Sequence, residues 1–148
     1  MGASLRSDAA PLFPAVCRLF DLGESLRFMR DATRGGIAAV LNELVQSAPW
    51  GIEVDEESFP ISSEVQVVSS ILGLNPLEIA NEGVFVAVVA SAEQTRCLSL
   101  LRSDPLGEAS CAVGRVTKDR PGAVVIRTRI GGRRILDFPR GLLLPRIC

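Results

Sequence analysis

Histidine and tyrosine are missing from all 148 residues, and tryptophan occurs once. Without imidazole or phenol, a Ser-His-Asp relay, a His-ligated metal centre and a phenolic proton donor are all excluded. Long apolar runs are missing as well. The longest, residues 84–90, is far short of the ~20 residues a bilayer-crossing helix needs, and the first eight residues hold no apolar signal core. The expectation is a cytoplasmic protein with no membrane partner. No Gly-X-Y period or repeat of ~20–50 residues is present. With 47% hydrophobic and 22% charged residues, the chain is not a disordered polyelectrolyte. Its length suits one compact domain.

The four cysteines, Cys17, Cys97, Cys111 and Cys148, lack the paired spacing of zinc or redox sites, so no metal centre is expected. The three internal thiols read as buried small hydrophobes. Cys148 differs because it is the last residue. The net charge of −1 hides a segregation: nine basic and two acidic groups follow residue 114, whereas seven basic and fifteen acidic groups precede it. The basic third either attracts an acidic or phosphate-bearing partner or consists of the solvated sides of strands. Only Phe138 interrupts it as an aromatic, so the stacking platform of a nucleic-acid binder is missing and no nucleic-acid partner is expected.

Apolar spacing predicts a first helix over residues 11–26, with Val16, Leu19 and Phe20 on one face, Gly23 as a stop, and a second helix from Ile37 to Gln46 or Ser47. A short strand at 52–54 follows, then a helix over 62–72 capped by Ser62 or Ser63 and stopped by Gly73. A turn at 76–80 leads to a buried strand over 84–90 and a helix over 91–102 capped by Ser91. Strands at 111–117, 123–129 and 133–138 end the domain, the last two as a hairpin. This order predicts an α/β domain of layered α+β type over residues 1–138, its helices packed on a mixed sheet. Residues 139–148, with two prolines and a glycine, read as a flexible tail that reaches about 36–40 Å from Asp137 when fully extended.

Three features carry possible chemistry. Arg30-Asp31-Ala32-Thr33-Arg34-Gly35-Gly36 opens the second helix. Free backbone N–H groups and the helix dipole there favour an anion such as phosphate, with Thr33 and Arg34 adding a hydroxyl and a charge. The alternative is a tight turn capped by Asp31 and Thr33. No Walker-type phosphate loop occurs. Glu82, between Asn81 and Gly83, is either a general base whose pKa is raised by partial burial or a solvated turn residue. Cys148 sits beside the terminal carboxylate, which disfavours its thiolate. It is either a mobile carrier or the chance end of a frayed terminus.

Met29-Arg30-Asp31-Ala32-Thr33-Arg34-Gly35-Gly36, then Asn81-Glu82-Gly83, and above all the ending Leu144-Pro145-Arg146-Ile147-Cys148 together closely resemble the C-terminal half of the HypE carbamoyl dehydratases of NiFe-hydrogenase maturation. The likeness spans residues 10–148. It implies the C-terminal domain of the aminoimidazole ribonucleotide synthetase superfamily, which also includes selenophosphate synthetase and thiamine-monophosphate kinase.

By that resemblance, the carbamoyltransferase HypF loads a carbamoyl group on Cys148. ATP-dependent dehydration then leaves a thiocyanate, whose cyanide passes to iron on the HypC–HypD complex. Cys148 and Glu82 are the implied catalytic residues, and Thr33, Arg34, Gly35 and Gly36 the implied ATP phosphate contacts. Ala32 stands where proline also fits the pattern, a change expected to relax the loop. ATP and Mg2+ would be held mostly by the family's N-terminal half, which also forms its homodimer interface. The chain therefore reads as a fragment or one part of a split protein, inactive alone. The alternatives are a non-catalytic interaction module and a fragment of a sibling such as selenophosphate synthetase.

Overall fold

The computed structural model describes residues 7–139. Helix and strand alternate first: α1 (Phe13–Leu19), β1 (Leu26–Asp31), α2 (Gly36–Val45), β2 (Gly51–Asp55), α3 (Ser63–Leu72), β3 (Phe85–Val89) and α4 (Gln94–Arg102). Three strands follow, β4 (Gly114–Thr117), β5 (Val124–Arg127) and β6 (Arg133–Ile135). They form two sheets where the sequence suggested one: an antiparallel β1–β3 ribbon and a mixed four-stranded sheet in the order β4-β2-β5-β6. In the larger sheet β2 is antiparallel to β4 and parallel to β5, and β5 and β6 make the expected hairpin.

Each sheet has its own core. Ala15, Leu19 and Leu22 face inward with Cys97 and Leu101 of α4, and this cluster packs on Met29, Phe85, Ala87 and Val89 of the ribbon. In the second core, Ala38, Leu41 and Val45 of α2 lie on Ile52, Val54, Val124 and Ile126, with Phe59, Leu77 and Leu136 closing the edges. Val86 reaches this core from the other face of β3, so the ribbon is a wall shared by both. Side chains alternate across a strand, which is why one apolar run serves two cores.

Several local expectations need correction. The first helix ends at Leu19, a 3-10 turn spans Phe20–Ser25, and residues 26–31 form a strand that the spacing missed. Its register slips between Leu26 and Phe28, so Arg27 is extra and the period-two alternation is broken. The inward face of α1 runs through Ala15 and Leu19, leaving Phe20 62% exposed. Cys17 is exposed too, contrary to the reading of all internal thiols as buried. The 84–90 run is half-buried throughout because its sheet has only two strands. Ser91 belongs to a 3-10 turn and caps nothing, whereas Ser62 caps α3 as expected, accepting the Val65 N–H at 3.3 Å.

The solvated face of the larger sheet carries an ion-pair lattice. Arg115 and Arg133 flank Glu53 at 2.7 and 3.2 Å, and Arg127 pairs with Asp55, its register partner on β2, whereas Arg134, opposite the core residue Ile126, lies 3.7 Å from Glu56 on the other face. The hydrogen bond from Arg127, and then the backbone N–H of Glu57, hold the Asp55 carboxyl below the usual carboxylate range. A lowered native pKa means that the carboxylate's stabilising contribution is present above the unfolded value of about 3.9 and is lost as pH falls through the native one. Asp55→Asn is therefore expected to lower the melting temperature slightly near pH 6 and to flatten its fall below about pH 4. Thermal unfolding followed by circular dichroism across that range checks this, and identical acid limbs would contradict it.

Candidate functional site

The ribbon's ladder places the loops that matter. Its strand register ends with Asp31 opposite Phe85. One further rung follows: the Ala32 N–H donates to the Val84 carbonyl at 2.9 Å, and the Asn81 N–H donates to the Ala32 carbonyl at 3.0 Å. Residues 33–36 and 81–83 therefore leave the same end of the ribbon side by side. Thr33, Arg34, Gly35 and Gly36 are thereby brought together with Glu82. Ala32 is fully buried, and its N–H, which proline would lack, is used. The alanine thus clamps the loop that it was expected to relax.

At the start of α2, Gly35 and Gly36 are both left-handed, at φ 71° and 60°. A Cβ on Gly36 would lie 2.4 Å from the Ile79 carbonyl oxygen and 2.6 Å from that of Leu77, so only glycine fits against the 3-10 turn Pro76–Glu78. No side chain caps this helix, which corrects the reading of Asp31 and Thr33 as caps. The Gly36 N–H instead donates to the Thr33 carbonyl at 3.1 Å, closing the turn from within. An uncapped ten-residue helix behind a glycine pair keeps first-turn N–H groups and a partial positive charge for an anion.

The two arginines of the motif divide their roles. Arg30, on β1, forms an ion pair with Glu43 of α2 and ties strand to helix. Arg34 is exposed and has no ion pair or hydrogen bond among the described residues, so its guanidinium is available at the loop. Glu82 is exposed as well, without the partial burial expected of a base. Its turn is stiffened by the Asn81 side chain, which donates to the Ile79 carbonyl at 2.7 Å, and its own N–H donates to Oδ2 of Asp8 at 3.0 Å.

Two further residues organise the site without a sequence signal. Asp8 is one. Asn42 is the other: from the middle of α2, its side-chain amide donates to the carbonyls of Ala38 at 2.9 Å and Leu136 at 3.0 Å, fixing the chain just after β6. An asparagine inside an amphipathic helix looks like an ordinary polar position until its partner is known. Among the internal thiols, burial pushes Cys97 up, and pushes Cys111 up against the opposing pull of Arg102. Both are thereby less inclined to ionise. Cys148 and the tail from residue 140 onward lie outside the described residues.

Among the described residues, no helix is long and apolar enough to cross a membrane. The chain is 43% identical over 143 residues to the carbamoyl dehydratase HypE of Rhizobium leguminosarum bv. viciae, covering 96% of this chain and 41% of that protein. It is 39% identical over 144 residues to HypE of Cupriavidus necator, covering 97% and 41%. It thus spans less than half the length of these relatives. A crystal structure of the hydrogenase maturation protein HypE in complex with ATP superposes with a TM-score of 0.89 at 35% identity, over 99% of this chain and 45% of that one. A HypE–HypF complex gives 0.87 at 34%, over 94% and 45%. The family model described as AIR synthase related protein, C-terminal domain, matches residues 7–127. The chain belongs to that family of AIR synthase related proteins, whose C-terminal domain it carries.

Proposed function

We propose that this chain is the C-terminal half of a carbamoyl dehydratase of NiFe-hydrogenase maturation, with Cys148 as the carrier of the reacting group. The observation that carries this reading is the meeting of the 33–36 loop and Glu82 at one end of the ribbon. A phosphate site and a carboxylate are the two functions needed to dehydrate an amide. The similarity to proteins named carbamoyl dehydratase HypE supports the chemistry.

The reaction converts a cysteine S-carboxamide into a thiocyanate. Its oxygen leaves with phosphate, and both amide protons are removed. An amide oxygen is a poor leaving group, and ATP supplies the phosphoryl group that makes it a good one. The residues present fit a nucleotide's phosphates: N–H groups at an uncapped helix start and the Arg34 guanidinium, which has no partner among the described residues. Thr33 adds a hydroxyl donor. Glu82 takes the amide protons, its carboxylate being reachable because it is exposed.

Asn42 holds the chain at Leu136 against the same helix that starts at the proposed phosphate loop. HypF, captured with a HypE in one of the similar structures, is the loading partner in this reading, and the HypC–HypD complex receives the cyanide. Mg2+ and most remaining nucleotide contacts belong to the N-terminal half, as does the dimer interface. Dehydration is therefore expected only when that half is supplied.

The interaction-module reading is less favoured because of the ion pairs of the larger sheet. Arg115, Arg127, Arg133 and Arg134 are engaged with Glu53, Asp55 and Glu56, so much of the basic third is neutralised within the domain. A selenophosphate synthetase has no use for a C-terminal cysteine.

In the complete enzyme, incubation with carbamoyl phosphate, ATP and the carbamoyltransferase should add a carbamoyl or cyano mass to the last tryptic peptide. Cys148→Ala should abolish it, and label retained elsewhere in that variant would refute the carrier. Glu82→Gln should leave loading intact and slow thiocyanate formation by about 10²–10⁴-fold. An unchanged dehydration rate removes Glu82 from the mechanism. Arg34→Ala should weaken ATP binding by roughly tenfold in calorimetric titration, the size of one charge-assisted contact. Unaltered affinity would assign the loop a structural role alone.

A further inference from the structure

The turn that carries Glu82 is gripped from two sides. On one side the Asn81 N–H is held by the Ala32 carbonyl. On the other, the segment around Asp8 lies directly on the turn: Oδ2 of Asp8 accepts the Glu82 N–H at 3.0 Å, and a Cβ on Gly83 would lie 1.6 Å from the Asp8 carbonyl oxygen and 3.2 Å from the Ala10 Cβ. Glycine at 83 is thus required for this segment to approach. The Glu82 side chain itself has no hydrogen bond or ion pair among the described residues. The position of its Cα–Cβ bond is therefore set by the turn's backbone, and the contact that holds the Glu82 amide itself is the Asp8 side chain.

We propose that Asp8 is a positioning residue for Glu82, acting through the Glu82 amide to aim the carboxylate at the end of the ribbon where residues 33–36 lie. This rests on the reading of Glu82 as the base. An aspartate suits the task because an ionised carboxylate accepts an amide hydrogen bond more strongly than a neutral acceptor does. Asp8 also belongs to the stretch that precedes α1. A shift in that stretch would therefore move the turn that carries the base.

The test is made in the complete enzyme already carbamoylated on Cys148, so that only dehydration is read. Asp8→Ala should lower kcat on the order of tenfold, the effect of a slightly misaimed catalytic group, with the KM for ATP and the melting temperature nearly unchanged. Asp8→Asn, which retains an acceptor oxygen, should recover most of the rate. In a double-mutant cycle, Asp8→Ala should cost nothing further in the Glu82→Gln background, because it acts through the residue already disabled. A wild-type rate for Asp8→Ala beside a slow Glu82→Gln would overturn the inference and leave the base standing, as would losses that multiply in the double variant. A wild-type rate for Glu82→Gln would remove the base and the inference together.

Discussion

The rung at Ala32 is the constraint on which the site depends. Strands β1 and β3 would end at Asp31 and Phe85 without it, and the two loops beyond would be free to splay. Both backbone groups of one fully buried alanine are engaged across the ribbon, at 2.9 and 3.0 Å. A buried backbone group left unpaired costs free energy comparable to a lost hydrogen bond, so separating the loops means breaking two at once. The small side chain matters as well, since a larger one would have to find room where none is exposed. The proposed anion-binding loop and the turn that carries Glu82, distant in sequence, are held together by main-chain geometry. Neither needs to contact the other's side chains.

The ribbon can bear that role because it is shared. Phe85, Ala87 and Val89 pack toward α1 and α4, and Val86 packs toward the core beneath α2. Movement of β3 would disturb both cores, and close-packed interiors resist such movement. The larger sheet contributes differently. Its inner face is apolar, and its outer face pairs arginines from the end of the chain with acids from β2 and the turn that follows it. Exposed pairs of this kind add little stability. Their consequence is electrostatic: two oppositely charged stretches of sequence are interleaved in space, and Arg34 stands apart from that lattice as a cation without a described partner.

Elements with unbroken periodicity were legible from the residues alone. α2 repeats its apolar positions cleanly, α3 carries its expected cap and its Gly73 stop although Leu72 is exposed, and β5 and β6 are announced by the Gly131-Gly132 pair between them. What was illegible shares one cause. β1 hides its alternation behind the extra Arg27, and α1 is too short for its spacing to distinguish Ala15 from Val16 as the inward position. Division into two sheets depends on long-range pairing, which no local pattern encodes. At the proposed site, the loop and the glutamate stand out in the sequence because their residue types suit chemistry. Asp8, Asn42 and the Arg30–Glu43 pair could not, since each works through a partner far away along the chain.

For Cys148 to act as a carrier, the tail must satisfy two reaches at once. Asn42, which holds its root, lies six residues along α2 from Gly36, a rise of about 9 Å. Residues 137 to 148 could span at most about 36–40 Å if fully stretched, several times that spacing. Such excess would be wasteful for a group that only had to bend back to its own domain. It is what a thiol needs if it must first enter the active site of a loading enzyme. The entropic penalty for the surplus is small, because closing a loop of twice the length costs only about 0.6 kcal/mol more. Anchoring the root on α2 keeps that surplus useful. In the proposed carrier role, each return of the sulfur would start from a fixed point at Leu136, beside the helix whose N-terminus is the proposed phosphate site, and a tether would supply an effective concentration that free diffusion would not.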